Sequence, residues 1–154
     1  MNLYDVLERL NIKYEQIEHE AVYTMEDIQN LNMNIEGESC KNLFLKNKKG
    51  EFYLMVLPED KRADIKAMAK ENGIANLSFA NEDYLKDILN LERGACTPLG
   101  IINDKENKVV LLIDKELKGK RLTVHPNRNT ATMSIEYDDL IKFINHIGNK
   151  YILV

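Results

Sequence analysis

Cys40-Lys41-Asn42-Leu43-Phe44-Leu45, the polar turn Lys46 to Gly50, and Glu51-Phe52-Tyr53-Leu54-Met55-Val56-Leu57 together decide the fold. Two apolar runs of strand length flank a short polar turn ending in glycine, which is the signature of a β-hairpin. Side chains alternate along a strand, so Lys41 shares a face with Leu43 and Leu45. An ammonium on an apolar face is costly unless a partner or a ligand uses it. The blander reading is that its stem packs while its amine reaches water. Lys41 is therefore a candidate for function, with a structural alternative beside it.

Outward from the hairpin, Asn2 is placed to cap a helix carrying Leu3, Val6, Leu7 and Leu10 at helical spacing. Ile12 to Ile17 reads as a short strand, and Thr24 with Asp27 as a capping box opening a second helix. Asn30 to Glu38 is a polar loop. Beyond the hairpin, Asp60 is expected to cap a helix with Ile65, Met68 and Ala69 on one face, ended by Gly73. Leu77 and Phe79 suggest a short strand, and Asn81 caps a helix with Leu85, Ile88 and Leu89 inward. Gly94 to Ile102 is expected to be a turn and a strand, and Val109 to Ile113 a buried central strand. Short strands ending at Val124 and spanning Thr132 to Ile135 follow. Tyr137, Leu140, Ile141, Ile144 and Ile147 mark the last helix, and Tyr151 to Val154 a final strand.

Helices and hairpins are interspersed without regular βαβ alternation, which implies an α+β class. The expected architecture is a mixed, largely antiparallel sheet curled into a partly closed barrel with surrounding helices. No repeat or long linker divides the chain, so residues 1–154 read as one domain.

The 154 residues are 44% hydrophobic, enough for an ordinary core. No apolar run approaches the roughly 20 residues that span a bilayer. Met1 to Asp5 lack the basic and apolar regions of a signal peptide, and Cys40 and Cys96 are isolated, so reduced thiols in the cytoplasm are expected. A net charge of −4 argues against a broad nucleic-acid footprint, though not against gripping one end of an RNA.

Three segments stand out as chemistry. They are Lys41-Asn42, the loop Gly94-Ala95-Cys96-Thr97-Pro98-Leu99-Gly100, and His125-Pro126-Asn127-Arg128-Asn129-Thr130-Ala131-Thr132. The second suits a stiff loop whose amides face a ligand, or simply a structural turn. The third concentrates hydrogen-bonding side chains beside a proline, a composition suited to a small polar group, although His125 could merely bond a nearby carbonyl. His146 fits a helix C-terminus. His19, between Glu18 and Glu20, reads as a solvated turn residue. Walker, dinucleotide-binding, zincin and hydrolase-elbow motifs are absent, and three scattered histidines with two distant cysteines form no metal set. No cofactor is implied. Cys96 is the thiol best placed for nucleophilic attack, but no base is identifiable beside it.

Lys41-Asn42-Leu43-Phe44-Leu45 with Lys48-Lys49-Gly50 resembles the central hairpin of the YbaK/ProX family of aminoacyl-tRNA deacylases. Gly94 to Asp104 is similar to that family's glycine/proline loop, and His125-Pro126-Asn127 with Asn129-Thr130-Ala131-Thr132 to the late motif of its ProX branch. His19 with Ala21-Val22-Tyr23-Thr24 matches the family's opening. The motifs run in order over nearly the whole chain. Cys96 and Thr97 depart from it, standing where other members often carry valine and serine.

The resemblance implies a stand-alone relative of the editing domain of prolyl-tRNA synthetase. Such a protein hydrolyses mischarged aminoacyl-tRNA(Pro), with Ala-tRNA(Pro) the expected substrate. Under that reading Lys41 stabilises the ester region or a terminal phosphate, and Asn42 positions the aminoacylated adenosine. Amides near Gly100 face the carbonyl oxygen, while Thr97, Pro98, His125, Asn127 and Thr130 shape the amino-acid pocket. The attacking water is left to the substrate's own ribose hydroxyl. Lys46, Lys48, Lys49, Lys61 and Arg62 are expected to form a basic rim for the acceptor end of tRNA(Pro). Prolyl-tRNA synthetase and elongation factor are candidate partners, and no membrane is involved. The competing readings are a non-catalytic module binding an aminoacyl or nucleotide-like ligand, and a purely structural domain.

Overall fold

The computed structural model describes residues 2–31 and 34–154. The chain runs α1 (Leu3–Arg9), β1 (Glu15–Glu18), α2 (Met25–Asn30), β2 (Glu38–Lys46), β3 (Phe52–Pro58), α3 (Ile65–Glu71), β4 (Ser78–Phe79) and α4 (Glu82–Leu89). A 3-10 helix (Pro98–Asn103), β5 (Val109–Ile113), a 3-10 turn (Lys115–Leu117), β6 (Arg121–Val124), β7 (Ala131–Glu136), α5 (Tyr137–Ile147) and β8 (Tyr151–Leu153) complete it.

Local sequence signals account for most of these elements. The Asn2 side chain accepts from the Asp5 amide at the start of α1, and Thr24 and Asp27 form both halves of the capping box on α2. Asn81 caps α4 in the same way. The hairpin pairs β2 with β3 in continuous antiparallel register from Cys40↔Pro58 to Lys46↔Phe52. Every residue of β3 is buried. Its two faces feed two cores: Phe52, Leu54 and Val56 pack with Phe44, Leu111 and Phe143, whereas Tyr53, Met55 and Leu57 pack with Leu45, Met68 and Leu112. Burying each such side chain contributes about 1.5–3 kcal/mol, which is why the apolar run forms a central strand.

The strand order is β1-β7-β6-β2-β3-β5-β8, with β4 on β2. Four pairings are antiparallel (β1–β7, β6–β7, β2–β3, β2–β4) and three are parallel (β2–β6, β3–β5, β5–β8). The fold is the expected α+β class with a mixed sheet. Its path is open, since β1 and β8 are not paired with each other among the described residues. Strand β2 joins the two halves of the sheet. Glu38 and Ser39 pair with Leu122 and Thr123 of β6 before the strand passes to β3.

Three expectations need correction. The strand foreseen within Gly94 to Ile102 is a 3-10 helix, because Pro98 starts a helical turn with Thr97 as its cap. The helix after the hairpin is capped by Asp64 rather than Asp60, the Asp64 carboxylate accepting from the Ala67 amide. The first strand begins at Glu15, since Asn11 and Ile12 are used in closing α1. Of the loop expected over Asn30 to Glu38, Asn32 and Met33 lie outside the described residues. No helix among the described residues is long and apolar enough to cross a membrane.

Candidate active site

Three chain segments meet at the end of the sheet where β6 passes into the loop before β7. The first follows β1: the His19 amide donates to the Thr130 carbonyl (2.9 Å), and the Val22 amide to the Asn129 carbonyl (3.1 Å). Asn129 Nδ2 donates back to the Val22 carbonyl at 2.8 Å. The loop beginning at Gly94 is pressed against the segment after β1, where a Cβ on Gly94 would stand 2.4 Å from the Val22 carbonyl oxygen. Gly94 also has φ +84, so its place in the junction requires glycine on both counts. Arg128 fastens the outside, with Nη2 reaching both Glu18 oxygens (2.7 and 2.9 Å) and Nη1 reaching Thr130 Oγ1 (2.9 Å).

Between these segments and β2 lies a narrow cleft lined by Ile28, Ser39, Cys40, Asn42, Thr123, Val124, His125 and Thr132. A larger, mostly apolar groove beside α3 includes Lys48 of the expected basic rim but none of the three candidate segments. The chemistry sits in the smaller hollow. His125 Nδ1 lies 2.9 Å from the Ala131 carbonyl. A carbonyl only accepts, so Nδ1 carries the proton and Nε2 is left as the ring's acceptor. Burial pushes the His125 pKa down, against an opposing pull from that hydrogen bond, so the neutral ring is favoured.

Asn42 Oδ1 and Asn127 Oδ1 are buried without a hydrogen-bond partner. Most buried polar atoms are satisfied, and an orphaned acceptor in a cleft is a reason to look for a ligand. Asn127 has φ +64, and its Nδ2 makes a long 3.4 Å contact with the Leu99 carbonyl.

The remaining candidates are placed differently. Thr97 is fully buried, and its hydroxyl donates to the His125 carbonyl at 2.7 Å while accepting from the Leu99 amide. Thr97 and Pro98 thus lie behind the His125 loop as its support. The Gly100 amide donates to the Thr97 carbonyl (3.1 Å), so it is engaged inside the 3-10 helix. A Cβ at Gly100 would meet Leu91 Cδ1 at 2.6 Å, and close packing explains that glycine. Thr130 binds Arg128 outside the cleft.

Lys41 is half-buried and opposite Leu57. Alternation along β2 turns it to the face away from Asn42. It makes no hydrogen bond or ion pair among the described residues. Of the expected basic rim, Lys61 is bound to Asp114 (2.7 Å) and Glu116 (3.0 Å), and Lys46 lies 5.0 Å over the Tyr84 ring. Lys48, Lys49 and Arg62 remain exposed. Cys40 and Cys96 are free thiols whose pKa burial pushes up to about 12, which removes both as nucleophiles at neutral pH.

One cleft residue and its partner behind it were not legible as a unit. His19 Nε2 lies 2.8 Å from Thr132 Oγ1, across 113 positions of sequence, and the His19 and His125 rings are 6.3 Å apart. His19 is thus no solvated turn residue. Its motif was visible, but its distant partner was not.

The chain matches the aminoacyl-tRNA editing domain model over residues 19–143. It is 40% identical to the prolyl-tRNA editing protein ProX of Acetoanaerobium sticklandii, over 94% of this chain and 90% of that one. It is 34% identical to prolyl-tRNA synthetase associated domain-containing protein 1 of Danio rerio, over 92% and 79% of the two chains. In fold it resembles a crystal structure described as that of a trans-editing enzyme for prolyl tRNA synthetase, with a TM-score of 0.71, 17% identity, and 98% and 92% of the chains covered. The chain belongs to the aminoacyl-tRNA editing domain family.

Proposed function

We propose that this protein is a trans-editing deacylase that hydrolyses Ala-tRNA(Pro), releasing alanine and free tRNA. Prolyl-tRNA editing by ester hydrolysis is the activity its family membership carries, and alanine is our finer reading. A synthetase pocket shaped for proline rejects the smaller alanine weakly, because a missing methylene is worth only about 1–3 kcal/mol. A second, smaller site corrects the error by admitting what the first could not exclude.

One observation supports this reading most. Asn42 and His125, carried by two motifs far apart in the chain, line one cleft, and Asn42 presents a buried acceptor without a partner. An aminoacyl ester is already activated, so positioning and charge stabilisation suffice without a protein nucleophile. In this scheme Asn42 holds the aminoacylated adenosine, and His125 and Asn127 shape the amino-acid pocket. Lys41, on the opposite face of β2 from Asn42, serves as a cation for a terminal phosphate. Thr97 and Pro98 act by supporting the His125 loop, Gly100 by close packing rather than through its amide, and Thr130 by bracing Arg128. The partner is the acceptor end of tRNA, and two reduced thiols fit a cytoplasmic setting.

The test is to incubate the protein with tRNA(Pro) carrying labelled alanine, cysteine, serine or proline and to follow release. Alanine should be released fastest and proline spared. Binding without release of any amino acid would establish the non-catalytic alternative. Faster release of cysteine or serine would replace the assignment of substrate but keep the reaction.

A further inference from the structure

The hydrogen-bond directions around His19 constrain one another. His19 Nδ1 lies 2.7 Å from the Glu20 carbonyl, which can only accept, so this nitrogen carries a proton. In the neutral ring Nε2 then has a lone pair, and the contact at 2.8 Å makes Thr132 Oγ1 the donor. Thr132 is 5% exposed and lines the cleft beside Asn42 and His125. With its proton committed to His19, the Thr132 oxygen offers only lone pairs to whatever occupies the cleft. A hydroxyl whose proton is held by an imidazole, with that imidazole oriented by a third group, is the arrangement general-base chemistry requires.

We infer that Thr132 and His19 form a proton relay that activates the water attacking the aminoacyl ester. The inference rests on the deacylase reading and supplies the base that the sequence did not reveal. As the water oxygen bonds to the ester carbonyl carbon, its proton passes to Thr132 Oγ1 and the Thr132 proton passes to His19 Nε2. When the bond from that carbon to the ribose oxygen breaks, the imidazolium returns its proton to Thr132. Thr132 delivers its own to the departing oxygen. Water and ester become acid and alcohol, with both side chains restored. Thr132 is the residue that touches the water, and His19 is a positioning and proton-holding residue behind it.

The backbone has an independent anchor, since the His19 amide is bonded to Thr130 whatever the side chain. Removing the imidazole therefore tests the relay without unfastening the segment.

The experiment measures kcat and KM for labelled alanyl-tRNA(Pro) from pH 5 to 8 with the full chain, His19→Ala, Thr132→Val, Thr132→Ser and the His19→Ala/Thr132→Val pair. Thermal unfolding confirms that each is folded. His19→Ala and Thr132→Val should each lower kcat on the order of 10²-fold at unchanged KM, the double variant falling no further than either single one. Thr132→Ser, which keeps the hydroxyl, should retain most of the activity. Single variants that are folded but keep the kcat of the parent would overturn the relay, and so would multiplicative losses in the double variant. Absence of release by the parent protein from every charged tRNA would sink the deacylase reading instead.

Discussion

The Thr97 hydroxyl donates a 2.7 Å hydrogen bond to the main-chain carbonyl of His125, joining the proline loop to the start of the late motif from a fully buried position. The hydroxyl cannot be lost without orphaning a carbonyl in a nearly dry environment. Thr97→Val should therefore destabilise the protein by about 1–3 kcal/mol in urea unfolding, whereas Thr97→Ser should recover most of that loss. Equal stability of the two variants would show that the bond contributes nothing.

Gly94 admits the Val22 carbonyl to a distance no side chain tolerates. Gly94→Ala adds the strain of a positive φ to a direct clash with backbone, so a loss of about 1–3 kcal/mol or more is expected. Loss of activity should accompany it, because the first segment is displaced from the Asn129 loop. An unaltered melting temperature would mean that the three segments do not meet as described.

Lys41 separates activity from stability. With no bonded partner, Lys41→Ala should shift stability by no more than about 0.5 kcal/mol. If its ammonium serves the substrate, kcat/KM should fall on the order of 10²-fold. Full deacylation by the folded variant would remove Lys41 from the site.

His125 makes stability depend on pH. Its folded-state pKa lies below the ordinary value of 6.5, so below about pH 6.5 the unfolded chain binds more protons than the folded one. Stability therefore rises with pH through the window beneath that value and falls as pH drops toward the folded pKa. Urea midpoints from pH 5 to 8 should show this slope, and His125→Asn should flatten it. An identical slope in the variant would place the titration elsewhere.

Binding to uncharged tRNA should be weak and should weaken further with salt, since the exposed cations left near the hairpin turn are few. Electrophoretic or fluorescence titrations between 50 and 200 mM salt, taken as roughly the range over which counterion release is read, measure the slope. A tight complex with a flat response would contradict recognition of the acceptor end through these lysines.

Signals that operate over a few residues were legible in the sequence. The Asn2 cap, the Thr24–Asp27 box, the hairpin and the apolar face of α5 all depend on neighbours within one or two turns or one tight loop. Asp60 and Asp64 are both competent caps, and propensity does not choose between them; the chain uses the second. The segment Pro98–Asn103 carries a strand-like apolar run, yet its residues are buried by the collapse of a 3-10 turn onto Leu91. The Lys41-Asn42 and His125 motifs each contribute one residue, Asn42 and His125, to the cleft lining. The side-chain directions within them depended on contacts across the whole chain, as the supporting role of Thr97 and the His19–Thr132 bond both show.

The continuous pairing of β2 and β3 also bears on the fidelity of assembly. Because side-chain direction has a period of two, a hairpin that zipped one position out of step would exchange Asn42 and Lys41 between the faces of the sheet. Such a misthreaded chain would retain an apolar strand and could still collapse, but it would point an ammonium where an amide belongs. The turn Asn47 to Glu51, where the Asn47 side chain binds the amides of Lys49 and Glu51, acts as the lock on that alignment. Loosening this distant turn is therefore a way to obtain soluble, inert protein without touching a single residue of the cleft.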